Sequence, residues 1–467
     1  MAITLTSYGA ARTVTGSKHL LDVGGHKILV DCGQFQGLKE LRERNWQPLP
    51  MHVDAVILTH AHLDHCGLLP RLVQQGFRGK IFCTAATAQL AKIVLADAGR
   101  LQEEDAARAN RKGYTKHKPA LALFTEEDAA RATTLFQPVG YERPVPVVPG
   151  VTVEFLNAGH LLGSSFARVR IADGNKTIVF GGDLGRYGRP VLPDPTAVHD
   201  ADVLLLESTY GDRVHEADDD ASTLAEVITA TAKRKGKVII PSFALGRVEE
   251  LLYWIGLLES QKRIPELPVY VDSPMAREVL QEYRARLNEL DPEISHMAAS
   301  RAPHHRRERD VMAFSTARLR VVASPKESQE VQASTAPAII ISASGMATGG
   351  RVLHHLKKGL PDERNTILFV GYQSVGTRGR QIRDGAAFTK IHGEEIPINA
   401  NVASFDSMSA HADANEIMRW LGHFTTPPQL TCLVHGEPGP MDTLKARIER
   451  ELSWTVKTPN QGERITL

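Results

Sequence analysis

Cysteine is scarce in this chain: four residues in 467, Cys32, Cys66, Cys83 and Cys432, stand far apart with no CxxC pair. That spacing excludes a disulfide framework and a zinc ribbon, and makes a reducing, cytoplasmic setting the simplest expectation. No apolar run reaches the roughly 18 residues of a membrane span, and the first residues carry no apolar stretch of signal-peptide length. An excess of either charge is missing too. Lys plus Arg number 55 against 54 Asp plus Glu, a net charge of +1, so any attraction for an anionic partner must come from local patches. Internal repeats, low-complexity linkers and RRM-, KH- or zinc-finger-type motifs are likewise not found.

What is present is an ordinary globular composition, 42% hydrophobic and 23% charged, on a chain long enough for two or three domains. Residues 1–60 read as short strands between tight turns, "AITLTSYG", "HLLDVGG", "HKILVDCG" and "VDAVILTH", a run of hairpins. Helical spacing follows in "GLLPRLVQQG", "TAATAQLAKIVLADAGRLQEEDAARAN" and "TEEDAARATTLF". Strands return from Val145, in "VTVEFLNAGH", "SFARVRIADG", "KTIVFGGD" and "ADVLLLEST", which suggests two sheets with helices outside them. After Glu207 the style changes. Compact aliphatic strands ("KVIIPSF", "LPVYVDS", "PAIIISASG", "NTILFVGY") alternate with helices, the pattern of a parallel sheet. The expected organisation is a first domain over 1–208, an inserted α/β domain over 209–375, and a return to the first domain over 376–467.

The stretch "LTHAHLDHCG" crowds His60, His62, Asp64 and His65 onto six positions after an apolar strand. If that loop is extended, alternate residues project to one side, and imidazole with carboxylate suits zinc. Cys66 adjoins them and could be a ligand or a small buried hydrophobe. His160 in "FLNAGHLLGSS", Asp183 in "IVFGGDLGR" and His435 in "TCLVHGEP" each follow an apolar strand in the same way. Taken singly each suits a hydrogen-bonded loop residue; together they repeat one placement. Asp31, Glu207 and His411 have related contexts, and His411 also reads as a residue at a helix start in "SAHAD".

These residues carry a family resemblance. "THAHLDHCG" matches the HxHxDH signature of the metallo-β-lactamase fold. The ordered series Asp31, His60 to His65, His160, Asp183, Glu207, His411 and His435 resembles the β-CASP branch, which contains the pre-mRNA 3′-end processing endonuclease and ribonuclease J. "YGAARTVTGSKHLLDVGGHKILVDCGQFQG", "GGDLGR", "SGMATGGRVLHHL", "GYQSVGTRGR" and "SAHAD" look especially like its compact bacterial ribonucleases. The resemblance implies an αββα metallo-β-lactamase sandwich with an inserted parallel-sheet β-CASP domain. It implies two zinc ions, one on His60, His62 and His160, the other on Asp64, His65 and His435, with Asp183 bridging and Asp31 fixing the loop from behind. His435 at its position favours RNA over DNA as substrate. The function implied is a zinc-dependent ribonuclease, endonucleolytic, in which a water ionised between two metals attacks phosphorus while His411, oriented by Glu207, protonates the leaving oxygen. A 5′ exoribonuclease, or a DNA or small-substrate hydrolase of the same fold, is the alternative. Single-stranded RNA is the expected partner, with no membrane and a homodimer by analogy.

For substrate grip, Gly and hydroxyl residues stand between strand ends and helices in "PSFALGRVEE" and "SASGMATGGRV". Ser242, Gly246, Arg247, Ser344, Gly345, Thr348, Gly349 and Arg351, with Thr377, Arg378 and Arg380, are the candidate phosphate contacts, though plain turn chemistry explains each turn equally well. Basic clusters at 108–118, 301–310 and 354–359 could line an RNA groove or be solvated helix faces.

Overall fold

A computed structural model of the chain describes residues 2–49, 52–113, 117–216, 221–301, 312–405 and 408–467. The chain forms two compact units. The first comprises residues 1–188, 194–214 and 411–467, and the second 189–193 and 215–410.

The first unit holds two seven-stranded sheets. One runs, in spatial order, Arg464–Thr466, Ile3–Gly9, Lys18–Val23, His26–Val30, Ala55–Ile57, Lys80–Thr84 and Phe136–Val139. Its first strands pair antiparallel as expected of hairpins, but Ala55–Ile57 joins His26–Val30 in parallel, as do the two strands beyond it. The expected run of hairpins therefore ends at Val30. The other sheet runs Val456–Lys457, Leu430–Val434, Val203–Glu207, Lys176–Phe180, Ser165–Ile171, Val151–Asn157 and Val145–Val148.

Strand alternation builds the layers. Val203 and Leu205 point inward to a core that also takes Leu5, Leu21, Ile28, Ile57, Phe82, Phe155, Val169 and Phe180 from the two facing sheets. Leu204 and Leu206 point outward and pack with Ile417, Trp420, Met441, Leu444 and Ile448 of the helices Ala414–Leu421 and Pro438–Leu452. Period-two patterning thus gives one strand two buried faces, as an αββα sandwich requires. The helix Ala85–Lys112 lies against the other sheet. Trp420, fully buried, donates its indole N–H to the Thr196 carbonyl at 3.0 Å, so its polar atom is satisfied while its ring fills the layer.

The second unit is a six-stranded parallel sheet, Leu319–Val321, Val269–Val271, Ala338–Ser342, Lys237–Pro241, Thr366–Val370 and Asn401–Phe405. The last strand corrects the expected boundary at 375. "NANVASF" reads as tail hairpin, yet Asn401–Phe405 pairs in parallel with Thr366–Val370, so the second unit extends to Ala410. Only Phe388–Ile391 and Glu394–Pro397 form the hairpin.

Within this unit Glu249, on the helix Arg247–Ser260, is fully buried. Burial pushes its carboxyl up to about 8, offset only in part by the backbone N–H groups of Glu249 and Gly246 and by the Arg284 charge. The sign follows from linkage. Above the ordinary carboxyl range the unfolded chain ionises this group while the folded chain keeps it protonated, so stability falls as pH rises and levels off near pH 8. Glu249→Gln, which stays neutral, is expected to gain about 3 kcal/mol on wild type between roughly pH 5 and pH 8 in denaturant unfolding. A variant curve parallel to wild type would show that Glu249 is not the group responsible.

Candidate metal centre

The carboxyl ends of parallel-running strands from both sheets of the first unit deliver the candidate ligands. Asp31 follows His26–Val30, His60 follows Ala55–Ile57, His160 follows Val151–Asn157, Asp183 follows Lys176–Phe180, and His435 follows Leu430–Val434. Two of them, Asp31 (φ 59°) and His435 (φ 50°), sit in the left-handed region, where a side chain is strained and must be held by its surroundings. The loop is not extended throughout, as the spacing suggested. His62 begins a single helical turn, Leu63–Cys66, that carries Asp64 and His65. The turn is locked to the neighbouring loop by Cys32 N–H to the His65 carbonyl (2.7 Å), Ser17 N–H to the Asp64 carbonyl (2.8 Å) and Gln34 N–H to the Leu63 carbonyl (2.9 Å). The approach is so close that a Cβ on Gly33 would fall 1.5 Å from the Asp64 carbonyl oxygen. Glycine is required there by contact alone.

The seven side chains converge. His60 Nε2 and His160 Nε2 each lie 3.2 Å from His62 Nδ1. The same two nitrogens lie 3.3 and 3.4 Å from Asp183 Oδ2. On the other side Asp183 Oδ1 is 3.2 Å from His65 Nε2 and 3.7 Å from His435 Nε2, which is itself 3.4 Å from Asp64 Oδ2. Four donors about 2.0–2.1 Å from a common point stand about 3.3–3.4 Å apart at the corners of a tetrahedron. Four of the six distances among His60, His62, His160 and Asp183 have that spacing, and all four donor atoms lie within 4.8 Å of one another; Asp64, His65 and His435 form a second group beside the other Asp183 oxygen.

The outer hydrogen bonds aim the lone pairs. Asp31 accepts Thr59 N–H at 2.8 Å on Oδ1 and His65 Nδ1–H at 2.7 Å on Oδ2, which leaves the His65 Nε2 lone pair pointing inward. The Thr59 hydroxyl donates to Asp31 (2.9 Å) and so accepts from His60 Nδ1 (3.1 Å). The Thr209 hydroxyl does the same for His435, donating to its carbonyl at 3.1 Å and accepting from Nδ1 at 3.0 Å. Each partner fixes the tautomer that exposes Nε2. The buried atoms His65 Nε2 and Asp183 Oδ1 accordingly have no hydrogen-bond partner, as two acceptors aimed at one cation would. The residues present therefore fit a metal pair.

Electrostatics divide the rings. Burial drives His62 down to about 3 and also lowers His60 and His160, keeping them neutral as ligands must be. At His65 burial also works downward, but the charges of Asp183 and Asp31 and the bonds to them raise it well above an ordinary imidazole, so a metal would have to displace its proton. Burial works to raise the Asp183 carboxyl, yet His435, His65, His60 and His411 together hold it well below its usual range. Beside the cluster, His411 Nδ1 lies 2.9 and 3.1 Å from the two Glu207 oxygens, and its Nε2 lies 3.9 Å from Asp183 Oδ2. Glu207 also accepts Leu184 N–H at 2.8 Å. Burial lowers His411, but the negative charges of Glu207 and Asp183 and the bond to Glu207 bring it up to about 9. His411 stands two residues before Asp413, the cap of the helix Ala414–Leu421. Cys66 lies outside the cluster: its thiol points to the Ala61 carbonyl at 3.4 Å, and burial raises it well above an ordinary thiol. Thr59 and Thr209 were missed in the sequence. Thr59 has only its adjacency to His60 in "THAH" as a signal, and Thr209, whose partner His435 is 226 positions away, has none.

The candidate phosphate contacts lie in the second unit, after three neighbouring parallel strands. Ser344 Oγ is 3.0 Å from Thr348 Oγ1 and accepts Thr348 N–H, while Gly379 N–H donates to the Met346 carbonyl, so the loops holding Gly345, Gly349, Thr377 and Arg378 meet. Several arginines are already engaged: Arg247 with Glu250, Arg351 with Asp272 at 2.8 Å, Arg380 with Asp384, and Arg378 with the Ala347 and Lys390 carbonyls. Ser242 is buried, bonded to the Phe243 carbonyl, and Gly246 (φ 73°) precedes the helix Arg247–Ser260. Of the basic clusters, 302–310 lies outside the described residues. In 354–359, His355 is buried and Lys357 pairs with Glu394, so that run is not simply a solvated face.

Three family descriptions match: "Metallo-beta-lactamase superfamily" over residues 16–225, "Beta-Casp domain" over 248–382, and "Zn-dependent metallo-hydrolase RNA specificity domain" over 395–459. Among relatives, the chain is 39% identical to "Ribonuclease TTHA0252" of Thermus thermophilus, over 93% of each chain. It is 30% identical to "Transcription termination factor FttA" of Methanocaldococcus jannaschii over 93% of this chain and 67% of that one. The "RNase J-like protein" of the same organism is 31% identical over 88% of this chain and 87% of that one. A crystal structure of a protein of unknown function from Enterococcus faecalis has the same fold, with a TM-score of 0.56 at 15% identity over the whole of both chains.

Asp31→Asn offers one oxygen where two are used, so either Thr59 N–H or His65 Nδ1–H loses its acceptor. The expected outcome is a folded protein whose metal affinity, measured by chelator competition, falls about 10–100-fold. Wild-type affinity would mean that Asp31 does not set the His65 tautomer.

Proposed function

We propose, on the premise that this chain belongs to the β-CASP group of the metallo-β-lactamase superfamily, that it hydrolyses phosphodiester bonds of single-stranded RNA endonucleolytically with two zinc ions. The coarser statement, a metal-dependent hydrolase of the ribonuclease type, follows from the family and from the ribonuclease relative. The observation that supports the finer one is the division of donors about Asp183, with Oδ2 toward His60 and His160 and Oδ1 toward His65 and His435. When bound, two zinc ions would supply a nucleophile from water at neutral pH and neutralise charge at the phosphoryl group.

The chain's own residues do the rest. His60, His62 and His160 would hold one ion and Asp64, His65 and His435 the other, with Asp183 between them. His411 is the proton donor. Its Nδ1–H is spent on Glu207, which fixes the ring, so Nε2 carries the proton that passes to the 3′ oxygen as the P–O bond breaks. Held up to about 9, the imidazolium persists at neutral pH. The products are a 5′-phosphate and a 3′-hydroxyl. RNA is favoured by the match to an RNA specificity domain over 395–459, which contains His411 and His435. Substrate phosphates would meet backbone N–H groups around Gly345 and Gly349, where a Cβ at Gly349 would have nothing within 4 Å, along with Ser344, Thr348, Arg351 and Arg378. No helix among the described residues is long and apolar enough to cross a membrane. A cytoplasmic setting and a homodimer complete the reading, the latter checkable by light scattering.

Purified protein is expected to hold close to two zinc ions per chain by elemental analysis. His411→Ala is expected to keep that metal and lose about 10²–10⁴-fold in cleavage rate. Wild-type cleavage by this variant would remove the general-acid assignment. The sign of the pH effect is set by the acid form. Cleavage should fall as pH rises through the His411 value, at or below about 9, and that alkaline limb should be missing from His411→Ala. End-labelled linear RNA and a circular RNA separate the modes: cleavage of the circle supports endonuclease action, and degradation only from a free 5′ end would replace it with 5′ exonuclease action.

A further inference from the structure

The parallel sheet of the second unit carries its candidate phosphate loops at the carboxyl ends of the strands. Toward the opposite end lies a separate cavity of about 170 Å³. Ile239 and Ile340 line it together with Lys235, Lys237, Lys358, Asp362, Arg364 and His355. Charge there is unbalanced. Asp362 is gripped by Arg364 through Nε (3.0 Å) and Nη2 (2.7 Å), and among the described residues no carboxylate stands within ion-pair distance of any of the three lysines. Lys358 is in the last turn of the helix Val352–Gly359 and Lys235 follows the helix Ser222–Lys233, so compensation of helix carbonyl ends accounts for one cation each.

It does not account for Lys237. This residue opens the strand Lys237–Pro241, is half-buried, and spends one hydrogen bond, 3.2 Å long, on the Val331 carbonyl. Burial and the nearby Lys358 charge draw it below an ordinary lysine, against a small opposing effect of Asp362. Lys235 and Lys358 are exposed and Lys237 half-buried, so water solvates them in part, yet like charges converging on one small polar cavity create a positive potential that favours an anion.

We propose that this cavity binds a phosphate-class dianion, with Lys237 and Lys358 as its direct contacts and Lys235 at the rim. The volume suits a phosphate group with its waters and is too small for a nucleoside in addition. The phosphate could be inorganic or belong to an RNA chain, and only the second source rests on the ribonuclease reading.

Two isoleucines in the lining make the test local. Full-length protein carrying labelled isoleucine methyls is titrated with inorganic phosphate, with ionic strength held constant by sodium chloride. Ile239 and Ile340 are expected to shift saturably while Ile57, in the first unit, does not. Lys358→Met, an exposed substitution, should weaken the binding roughly tenfold, as should Lys237→Met if it folds. Repeating the titration on His411→Ala protein with a short RNA identifies the source. Shifts with RNA alone assign the phosphate to the RNA backbone, and shifts with inorganic phosphate alone assign it to a free anion. Absence of shifts with both, or shifts unchanged in Lys358→Met, overturns the proposal. The phosphate arm reads out independently of any cleavage, so its success survives failure of the ribonuclease reading.

Discussion

Everything in the first unit is arranged around one carboxylate that water cannot reach. Asp183 is 2% exposed and faces ring nitrogens of His60, His65, His160, His435 and His411 at 3.2 to 3.9 Å. A buried carboxylate without compensation costs several kcal/mol, and here burial is opposed by the surrounding rings of His435, His65, His60 and His411, which hold Asp183 well below its usual range. The inward-facing nitrogens and carboxylate oxygens make a donor set of the kind that holds metal ions, and the hydrogen bonds behind the rings orient it. Asp31, Thr59 and Thr209 take the outer N–H of His65, His60 and His435, so each ring has its inner nitrogen bare before any ligand arrives. Tautomer, and hence function, is decided one shell away from the chemistry.

The same logic separates two carboxylates of equal chemistry. Asp183 is surrounded by imidazoles on both oxygens and has Oδ1 free of hydrogen bonds. Glu207, fully buried, takes a backbone N–H from Leu184 and the Nδ1–H of His411. One therefore faces ring nitrogens on both oxygens, while the other holds the His411 ring in place. Both lie at the end of adjacent parallel strands, Lys176–Phe180 and Val203–Glu207, and the different roles come from what the following loops bring to them, not from residue type.

This division explains what could be read from the sequence. That His60, His160, Asp183 and His435 converge was legible because each is a polar residue just after an apolar strand, and His62, Asp64 and His65 because they crowd beside His60 in one short stretch. The αββα layering was legible in the two-faced apolar strands such as "VLLLE". Thr59 was not, because a threonine beside a histidine is uninformative until the ring direction is known, and Thr209 was not, because its partner His435 lies 226 positions further along the chain. The helical turn at Leu63–Cys66 was hidden as well: its geometry is imposed by bonds to Ser17, Cys32 and Gln34, residues distant in the chain. Asn401–Phe405 was placed with the wrong unit for a related reason. Its pattern permits a hairpin or a sheet edge, and only the pairing with Thr366–Val370 decides.

In the second unit, pairing again decides what a charged residue can do. Arg247, Arg351 and Arg380 looked alike in sequence as candidates for phosphate, yet each already has a carboxylate. Asp272 is the instructive partner: fully buried at the end of Val269–Val271, it accepts from Arg351, Ser328 and His355 Nε2, the last at 2.7 Å. A side chain held in this way is positioned, and its donors that remain outside the ion pair can still meet a phosphate without the entropy cost of ordering a free arginine. Lys237 and Lys358 are the opposite case, cations brought together by a strand start and a helix end with no carboxylate supplied. Paired charge near the carboxyl ends of the sheet and unpaired charge at the other end thus differ in what the neighbouring elements supply: carboxylates for the arginines, and only water and a backbone carbonyl for the lysines.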